Sequence, residues 1–551
     1  MKNKILEVST KKLIPINSII GYSILAIISG LSGFAFIMII NETISLSIGS
    51  GIPEGNNYLL MFLATIVVFF ITRRWLSGGI INLSQKIYWN IRKDTIKLIL
   101  RAPYRKLQER KDDVYSTLTA DVGNITDASL LVITFFSSII LIISCLVYMA
   151  YLSLSLFAVS LGVIAVGILI YLVRSRKSDQ QFKEVRDLEN NFMNIFISIL
   201  EGAKEININP DKGRDIYESK LTRVIDNGKK TNIKAYLKYL NSELISQLLF
   251  YGLITFILLY AGDILNVSVS IVISFVFVLL YVLGPIVSVM TIIPFMNNAA
   301  ISLKRMNKLK KDLQNEQQLF NTDDKDKEKY YEFKNLEIKN YSFSYGEDKF
   351  SVGPINLNIN RNDIVFIYGG NGAGKTTFIN TVLKLYDLDN GEVKIDKEYV
   401  SSDKIDSVKE MFSPVFSDFY LFDEFYGIKN LDLDKANYYL RLFELEDKVT
   451  IENNKFSTID LSTGQRKRLA LISSILEDRP ILVLDEWAAD QDPHFRNKFY
   501  KEILPLISKG EDKTIIAITH DDRYYHLADK LLKMEYGGLT EINKASLESI
   551  F

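Results

Sequence analysis

The sequence predicts two joined folds, an α-helical domain of six membrane spans followed by an α/β domain built round a phosphate-binding loop. Three observations carry that expectation. From Ala128 to Val173 there is no Asp, Glu, Lys or Arg in 46 residues, whereas one helical span needs only ~20. Further on, the apolar strand "IVFIY" runs directly into "GGNGAGKTT". Finally, "ILVLDE" sets two adjacent acids at the end of another apolar strand, an arrangement that is costly unless water or a cation meets them.

The bulk numbers agree. A chain of 551 residues is too long for one ordinary core. Its mean hydropathy is +0.11 although 24% of its residues are charged, so an apolar part and a charged part must be segregated. Basic and acidic residues balance at 65 each; this supplies no argument for nucleic acid, and none is expected as a partner. The single cysteine, Cys145, lies in an apolar run. It can form no intrachain disulfide and reads as a small buried hydrophobe.

In chain order, the spans are Ile14–Ile40, Tyr58–Thr72, the two halves of Ala128–Val173 with a turn near Tyr151–Ser153, Leu244–Gly262 and Ser268–Met296. The first is too long for a signal-peptide core and is expected to be retained. The second is short and ends at Arg73-Arg74, whose side chains can snorkel to the interface. Segments 41–57, 151–153 and 263–267 contain no Lys or Arg, while Lys86–Lys111 carries nine. Positive loops stay inside, so both termini are expected in the cytosol. The inner connections, 73–127 and 174–243, are longer than turns require, and their mixed patterns suggest helices continuing into the cytosol. "RAPYRKL" and "NINPDKGRD" would turn the chain at the tips, where a cytosolic domain could be touched.

Within the spans, ionisable groups are almost absent, which leaves little for a proton relay. Tyr22, Tyr148, Tyr251, Tyr260, Tyr281, Gln247 and Ser274 could serve interface belts and packing, or together line a cavity for a large, weakly charged amphipathic molecule. Gly284-Pro285 and Pro294 are kink sites. Expected boundaries are residues 1–303 for the membrane domain, 304–332 for a charged linker that begins as a helical extension, and 333–551 for the α/β domain.

The loop Gly369, Gly370, Asn371, Gly372, Ala373, Gly374, Lys375, Thr376, Thr377 lies between an apolar strand and an apolar helix. Its backbone N–H groups would cradle phosphates, Lys375 would reach the outer ones and Thr376 would ligate Mg²⁺. About 110 residues on, Asp485 is placed to bind that Mg²⁺, largely through water, and Glu486 to orient or deprotonate the attacking water. Asp490 reads as a residue that caps or solvates a turn. Leu461, Ser462, Thr463, Gly464 and Gln465 open a helical stretch whose N-terminus makes a second phosphate surface. His520 ends the strand "TIIAIT" and can reach a γ-phosphate; Tyr345 could stack on adenine or sit in a strand-edge core.

The order Tyr345, phosphate loop, "LSTGQ", "LVLDE", Asp492, His520 resembles the ATPase domain of ABC transporters, and with six preceding spans the chain resembles an ABC exporter half-transporter of the type IV fold. The resemblance implies ATP and Mg²⁺ as cofactors. It also implies a homodimer in which each ATP lies between one phosphate loop and the partner's "LSTGQ", with Asp492 linking the two sites. Membrane lipids and a small-molecule substrate complete the partners, and the location implied is the bacterial cytoplasmic (inner) membrane.

Four stretches, "LDEWAADQDPHF", "VFSDFYLFD", "LSTGQRKRLAL" and "THDDRYY", are similar to the branch of bacterial exporters associated with cyclic peptides, lipopeptides and peptide siderophores. Like that branch, the chain departs from the multidrug type. Ser417, with Asp418 beside it, stands where the family's Q-loop glutamine is usual, so either could contact the metal. Trp487 follows Glu486 where proline is commoner. Only Met1–Leu13 precedes the first span, so no leader-cleaving protease domain is expected. A lipid flippase and a multidrug exporter are the competing readings within transport. An importer or a membrane-bound sensor ATPase is the reading from another class.

Overall fold

The computed structural model describes residues 16–50, 56–314, 332–346, 349–400, 408–428 and 430–543. Two compact units divide the chain: residues 1–96 with 112–309, and residues 97–111 with 310–551.

The first unit is helical. Its elements are α1 (Ile16–Ser50), α2 (Asn56–Arg101), α4 (Lys111–Ser116), α5 (Val122–Leu152), α6 (Leu154–Glu201), the short α7 (Ala203–Ile208) and α8 (Pro210–Asp215), α9 (Thr222–Leu265) and α10 (Val269–Gln314); α3 (Tyr104–Glu109) groups with the second unit. Among the described residues, six helices are long and apolar enough to cross a membrane. The turn expected near Tyr151–Ser153 falls at Ser153, which leaves the helix in an extended conformation and accepts a hydrogen bond from the Leu156 N–H at 3.4 Å. Both charged tips expected from sequence are short helices, α3 at the first and α7–α8 at the second, where Pro210 opens α8. Pro285 and Pro294 lie inside α10. As expected for the inner connection, the helix continues past Arg73 and Arg74, and α2 runs to Arg101. The helical extension expected from residue 304 is the end of α10, which runs to Gln314, and the rest of the expected linker, 315–331, lies outside the described residues.

Cys145 packs in an apolar core with Ile37, Met149, Phe250, Ile257 and Phe275. Surroundings of that kind suit a small hydrophobe that packs and does not react. The polar residues of the spans are dispersed. Tyr148 accepts from the Asn41 amide at 2.8 Å, Tyr22 packs beside Leu76 and Ile80, Ser274 is buried, and Tyr251 and Tyr260 are exposed. Many large apolar side chains face outward, Phe70, Leu248 and Leu259 among them, as helices need where lipid is the solvent.

Among its described residues the second unit holds two larger sheets and one two-stranded sheet. The strands are β1 (Asn335–Ser344), β2 (Ser351–Asn360), β3 (Ile364–Tyr368), β4 (Asn390–Ile395), β5 (Glu398–Tyr399), β6 (Phe412–Val415), β7 (Ile451–Glu452), β8 (Lys455–Phe456), β9 (Ile481–Asp485), β10 (Thr514–Ile518), β11 (Lys530–Glu535) and β12 (Gly538–Glu541). A four-stranded antiparallel sheet has the order β2-β1-β4-β5, and a six-stranded sheet has the order β12-β11-β3-β10-β9-β6. In the larger sheet every pairing from β11 to β6 is parallel. Such strands are covered on both faces and read as continuous apolar runs. Ile364 and Phe366 point into one core and Val365 and Ile367 into the other, as the period of two requires.

The register of that sheet positions the site. Ile518 of β10 pairs with Ile367 of β3 on one side and with Asp485 of β9 on the other, while Val415 of β6 pairs with Leu484. Four neighbouring strands therefore end at one edge, where ligands bind in open parallel sheets.

Candidate nucleotide site

The segments leaving those strand ends supply the chemistry. After β3 the loop Gly369–Gly374 leads into α11 (Lys375–Val382). Gly374 caps this helix at φ +104°, and a Cβ there would meet the Phe350 ring at 2.8 Å, so only glycine fits. The loop encloses a cavity of about 530 Å³ lined by Asn371–Thr377, Phe350 and Glu486. Backbone N–H groups and the helix N-terminus favour an anion here. Lys375 is buried; its Nζ donates to the Gly369 and Gly370 carbonyls at 3.0 and 3.2 Å and stands 4.0 Å from Glu486 Oε1. The ammonium is thus laid along the loop, facing the cavity.

Asp485 ends β9 with its carboxylate buried. That burial, then the neighbouring Glu486, pushes its pKa above the ordinary value, while Ser417 opposes the rise by donating its hydroxyl at 3.3 Å. Ser417 comes from the end of β6, beside β9. Of the two residues that could stand in for the usual glutamine, Ser417 makes this contact, and exposed Asp418 acts only as a nearby negative charge that raises Asp485 further. Glu486 comes next, in the left-handed region at φ +50°, ψ +37°, a conformation that costs a non-glycine residue about 1–2 kcal/mol. Its N–H donates to the Ile518 carbonyl at 3.1 Å, and its Oε1 lies 3.0 Å from His520 Nε2. The sheet therefore brings together Lys375, Asp485, Glu486, His520 and Ser417, five of the residues singled out from sequence.

The second phosphate surface and Asp492 do not line the cavity, and Tyr345 stands at its rim. Beyond α12 (Leu433–Leu442), Ser462 caps α13 (Thr463–Leu476) in a reciprocal box with Gln465, so the N-terminus of this 14-residue helix is well formed. None of Leu461–Gln465 lines the phosphate-loop cavity. Gly464 lies against the chain after β9; a Cβ there would meet the Asp490 carbonyl at 2.7 Å. Asp492 caps the short α14 (Pro493–Lys498) by accepting from the Phe495 N–H at 2.9 Å, and it pairs with Arg468 at 2.9 Å. That N–H, with help from Arg468, holds the Asp492 carboxyl below the usual range. Tyr345 is half-exposed and bonded to the Thr377 hydroxyl at 3.2 Å, with its ring against Phe343.

Three residues of this region were not evident from sequence. Phe350, just before β2, is an aromatic wall of the cavity, and an isolated Phe before a strand carries no signal. Lys467 and Arg468 are buried at the base of α13. Adjacent cations beside Leu469 and Leu471 break the helix's apolar face, and that break was the available sign. Asp490, expected to cap or solvate a turn, is an ion-pair partner of Lys467 at 2.6 Å.

Residues 352–489 match the ABC transporter family model and residues 19–286 the ABC transporter transmembrane region. The ATP-binding protein SyrD of Pseudomonas syringae pv. syringae is 30% identical over 95% of this chain and 94% of its own length. This chain belongs to the ABC transporter family. An ATP-dependent lipid A-core flippase of Haemophilus influenzae (strain ATCC 51907 / DSM 11121 / KW20 / Rd) is 28% identical, over 37% of each chain. In fold, this ABC transporter matches a bacterial Atm1-family ABC exporter with ATP bound, at TM-score 0.80 and 13% identity, covering 97% of this chain and 96% of the other. It is therefore a multi-pass membrane protein with the exporter architecture, a transmembrane domain fused to an ATPase domain. It binds ATP, and its hydrolysis of ATP is coupled to transport.

Proposed function

We propose that two copies of this chain form an exporter that moves an amphipathic, peptide-like molecule out of the cytoplasm: a cyclic or modified peptide, a lipopeptide or a peptide siderophore. The observation that supports a pair of copies most strongly is the separation of the two phosphate-binding surfaces. The phosphate-loop cavity contains none of Leu461–Gln465, although α13 presents a capped N-terminus built for an anion. In a C2 pair each loop would meet the other copy's Ser462, Thr463 and Gly464 across the ATP. The peptide class rests on the four stretches shared with that exporter branch and on the weakly charged spans.

Hydrolysis follows from the groups at the sheet edge. Lys375 neutralises the outer phosphates. Glu486 takes a proton from the attacking water, and His520 holds the Glu486 carboxylate and contacts the γ-phosphate. The hard oxygens of Thr376, Asp485 and Ser417 fit Mg²⁺, and a buried carboxylate whose pKa is raised is the kind of group a cation stabilises. Bound there, Mg²⁺ would offset charge on the β- and γ-phosphates. Closing two ATPs between the copies would turn the cavity outward, and hydrolysis would reset it. Shifting a two-state equilibrium from about 1:99 to 99:1 takes ~5.5 kcal/mol, within reach of two nucleotides at one interface. Both termini would lie in the cytosol and the protein in the bacterial cytoplasmic membrane.

Lipid transport is the second reading, favoured by the similarity to a lipid A-core flippase. Untargeted mass spectrometry of the medium from cells expressing wild type or Glu486→Gln separates the two. A peptide-like ion enriched only with wild type supports the proposal. No such ion, with ATPase activity stimulated by lipid, would replace it with the flippase.

A further inference from the structure

We infer that Lys467 is a positioning residue for hydrolysis: it fixes the backbone of Glu486 and ties it to the helix that begins with the second phosphate surface. The inference rests on the reading of Glu486 as the base. Lys467 is almost fully buried, at 3% exposed, and its ammonium donates to the Glu486 backbone carbonyl at 3.2 Å. The same ammonium pairs with Asp490 at 2.6 Å, and the Lys467 carbonyl accepts from the Trp487 indole N–H at 2.9 Å. One residue thus grips positions 486, 487 and 490 from both its ends.

Glu486 needs such a grip. Its left-handed backbone is intrinsically unfavourable and persists only where surrounding contacts over-determine it. Its N–H is fixed by Ile518 of β10 and its carbonyl by Lys467 of α13. These two bonds on either side set the direction in which the carboxylate leaves the chain, toward His520 and the cavity. Trp487 locks the arrangement from behind, its ring tilted against that of Phe499 with centroids 4.2 Å apart and buried among Phe443 and Phe495. A proline at 487 would have no indole to give Lys467.

The consequence is a link between two sites. α13 carries Ser462, Thr463 and Gly464 at its start and Lys467 one turn later. When the start of α13 engages the partner's nucleotide, any shift of the helix is felt at this chain's own Glu486 through Lys467. Ligand engagement at one site then sets the aim of the base at the other.

The test uses full-length protein in nanodiscs, with ATP turnover and fluorescent-nucleotide affinity measured side by side. Lys467→Met should lower kcat about tenfold to hundredfold, as a misplaced catalytic group does, with KM and nucleotide affinity within about twofold of wild type. Lys467→Arg, which keeps a charged donor, should recover most of the loss. In a Glu486→Gln background, Lys467→Met should add nothing, since it acts through that carboxylate. Asp490→Asn, an exposed change, guards against a variant that does not fold. It should lower kcat about threefold at unchanged KM, the scale of an ion pair at a half-exposed site. The inference is overturned if Asp490→Asn and Lys467→Met both keep wild-type kcat while Glu486→Gln is inactive. It is equally overturned if Lys467→Met weakens nucleotide binding in parallel with turnover in both backgrounds. Full turnover by Glu486→Gln alone is a different result: it removes the base assignment, and this inference falls with it.

Discussion

The two units use buried polar groups in opposite ways. Among the described residues of the membrane unit, the buried polar side chains are serines, threonines and Asn41, with Asp121 as the buried acid. Several of these hydroxyls bond to a backbone carbonyl three or four residues back, as Thr72, Thr95, Thr126 and Ser242 do. Asp121 accepts from Ser302 at 2.7 Å, tying the start of α5 to α10. The ATPase unit instead buries Lys375, Lys467, Arg468 and Asp485 close to one sheet edge, each with partners. Burying charge is expensive and is kept where it does chemistry or holds chemistry in place. The difference teaches where each unit's specificity sits. In the ATPase unit it lies in a few charged contacts, each removable by one substitution. In the membrane unit it is spread over many weak contacts and over shape.

Substitutions should break that contrast in a graded order. Glu486→Gln carries the largest effect: ATP turnover should fall about 10²–10⁴-fold, the contribution of a positioned acid–base group, while nucleotide binding persists. Retained turnover, read by phosphate release, would take Glu486 out of the chemistry. Next is Arg468→Met. It removes the pair with Asp492, the 2.8 Å bond to Gln491 and a guanidinium 3.4 Å over the Phe495 ring. Loss of charged hydrogen bonds of this kind costs about 1.5–3 kcal/mol; thermal unfolding of the purified transporter should show it.

A smaller effect concerns acid. The Asp492 carboxyl sits below its usual pKa, held chiefly by the Phe495 N–H and then by Arg468. Its contribution is present above the ordinary carboxylate range and is lost as pH falls through the native value, where folded and unfolded chains both carry the proton. Asp492→Asn should therefore lower stability near neutrality and flatten the acid limb of an unfolding-versus-pH curve. The smallest expected effect lies in the membrane unit. Asn41→Leu removes the bond to Tyr148, and such interhelical bonds contribute about 0.6 kcal/mol on average. Basal ATP turnover should stay near wild type; a collapse of turnover would show that single polar contacts in the spans matter as much as those at the sheet edge.

Much of the fold was legible in the sequence, for identifiable reasons. The spans, their turn at Ser153 and the strand ends at Tyr368, Asp485 and Ile518 are marked by apolar runs that stop abruptly, which periodicity reads directly. The phosphate loop, Glu486 and His520 could be named because their spacing along the chain is itself the motif. Convergence on one edge could not be read, since it depends on a strand order, β3-β10-β9-β6, that is not the order of the chain. For the same reason Ser417 became distinguishable from Asp418 only once β6 lay beside β9. Lys467 and Asp490 share no motif and lie on separate elements, and nothing local announced their ion pair. The helix of the second span was legible past Arg73 and Arg74, because snorkelling arginines do not break a helix and the mixed pattern beyond them keeps its period; α2 runs to Arg101.

The central claim is that each working ATP site takes its phosphate loop from one copy and its second phosphate surface from the other. Mixing two disabled chains tests it most directly. Lys375→Ala disables the loop. Thr463→Glu places an acid at the exposed start of α13, where it suits the helix but repels phosphate. Each variant alone should be inactive. Co-expressed and purified as a mixed pair through two different tags, they should regain ATP hydrolysis, because one of the two composite sites then has an intact loop facing an intact α13. A mixed pair as inactive as its parents, with nucleotide binding to the Thr463→Glu chain intact, would contradict the account.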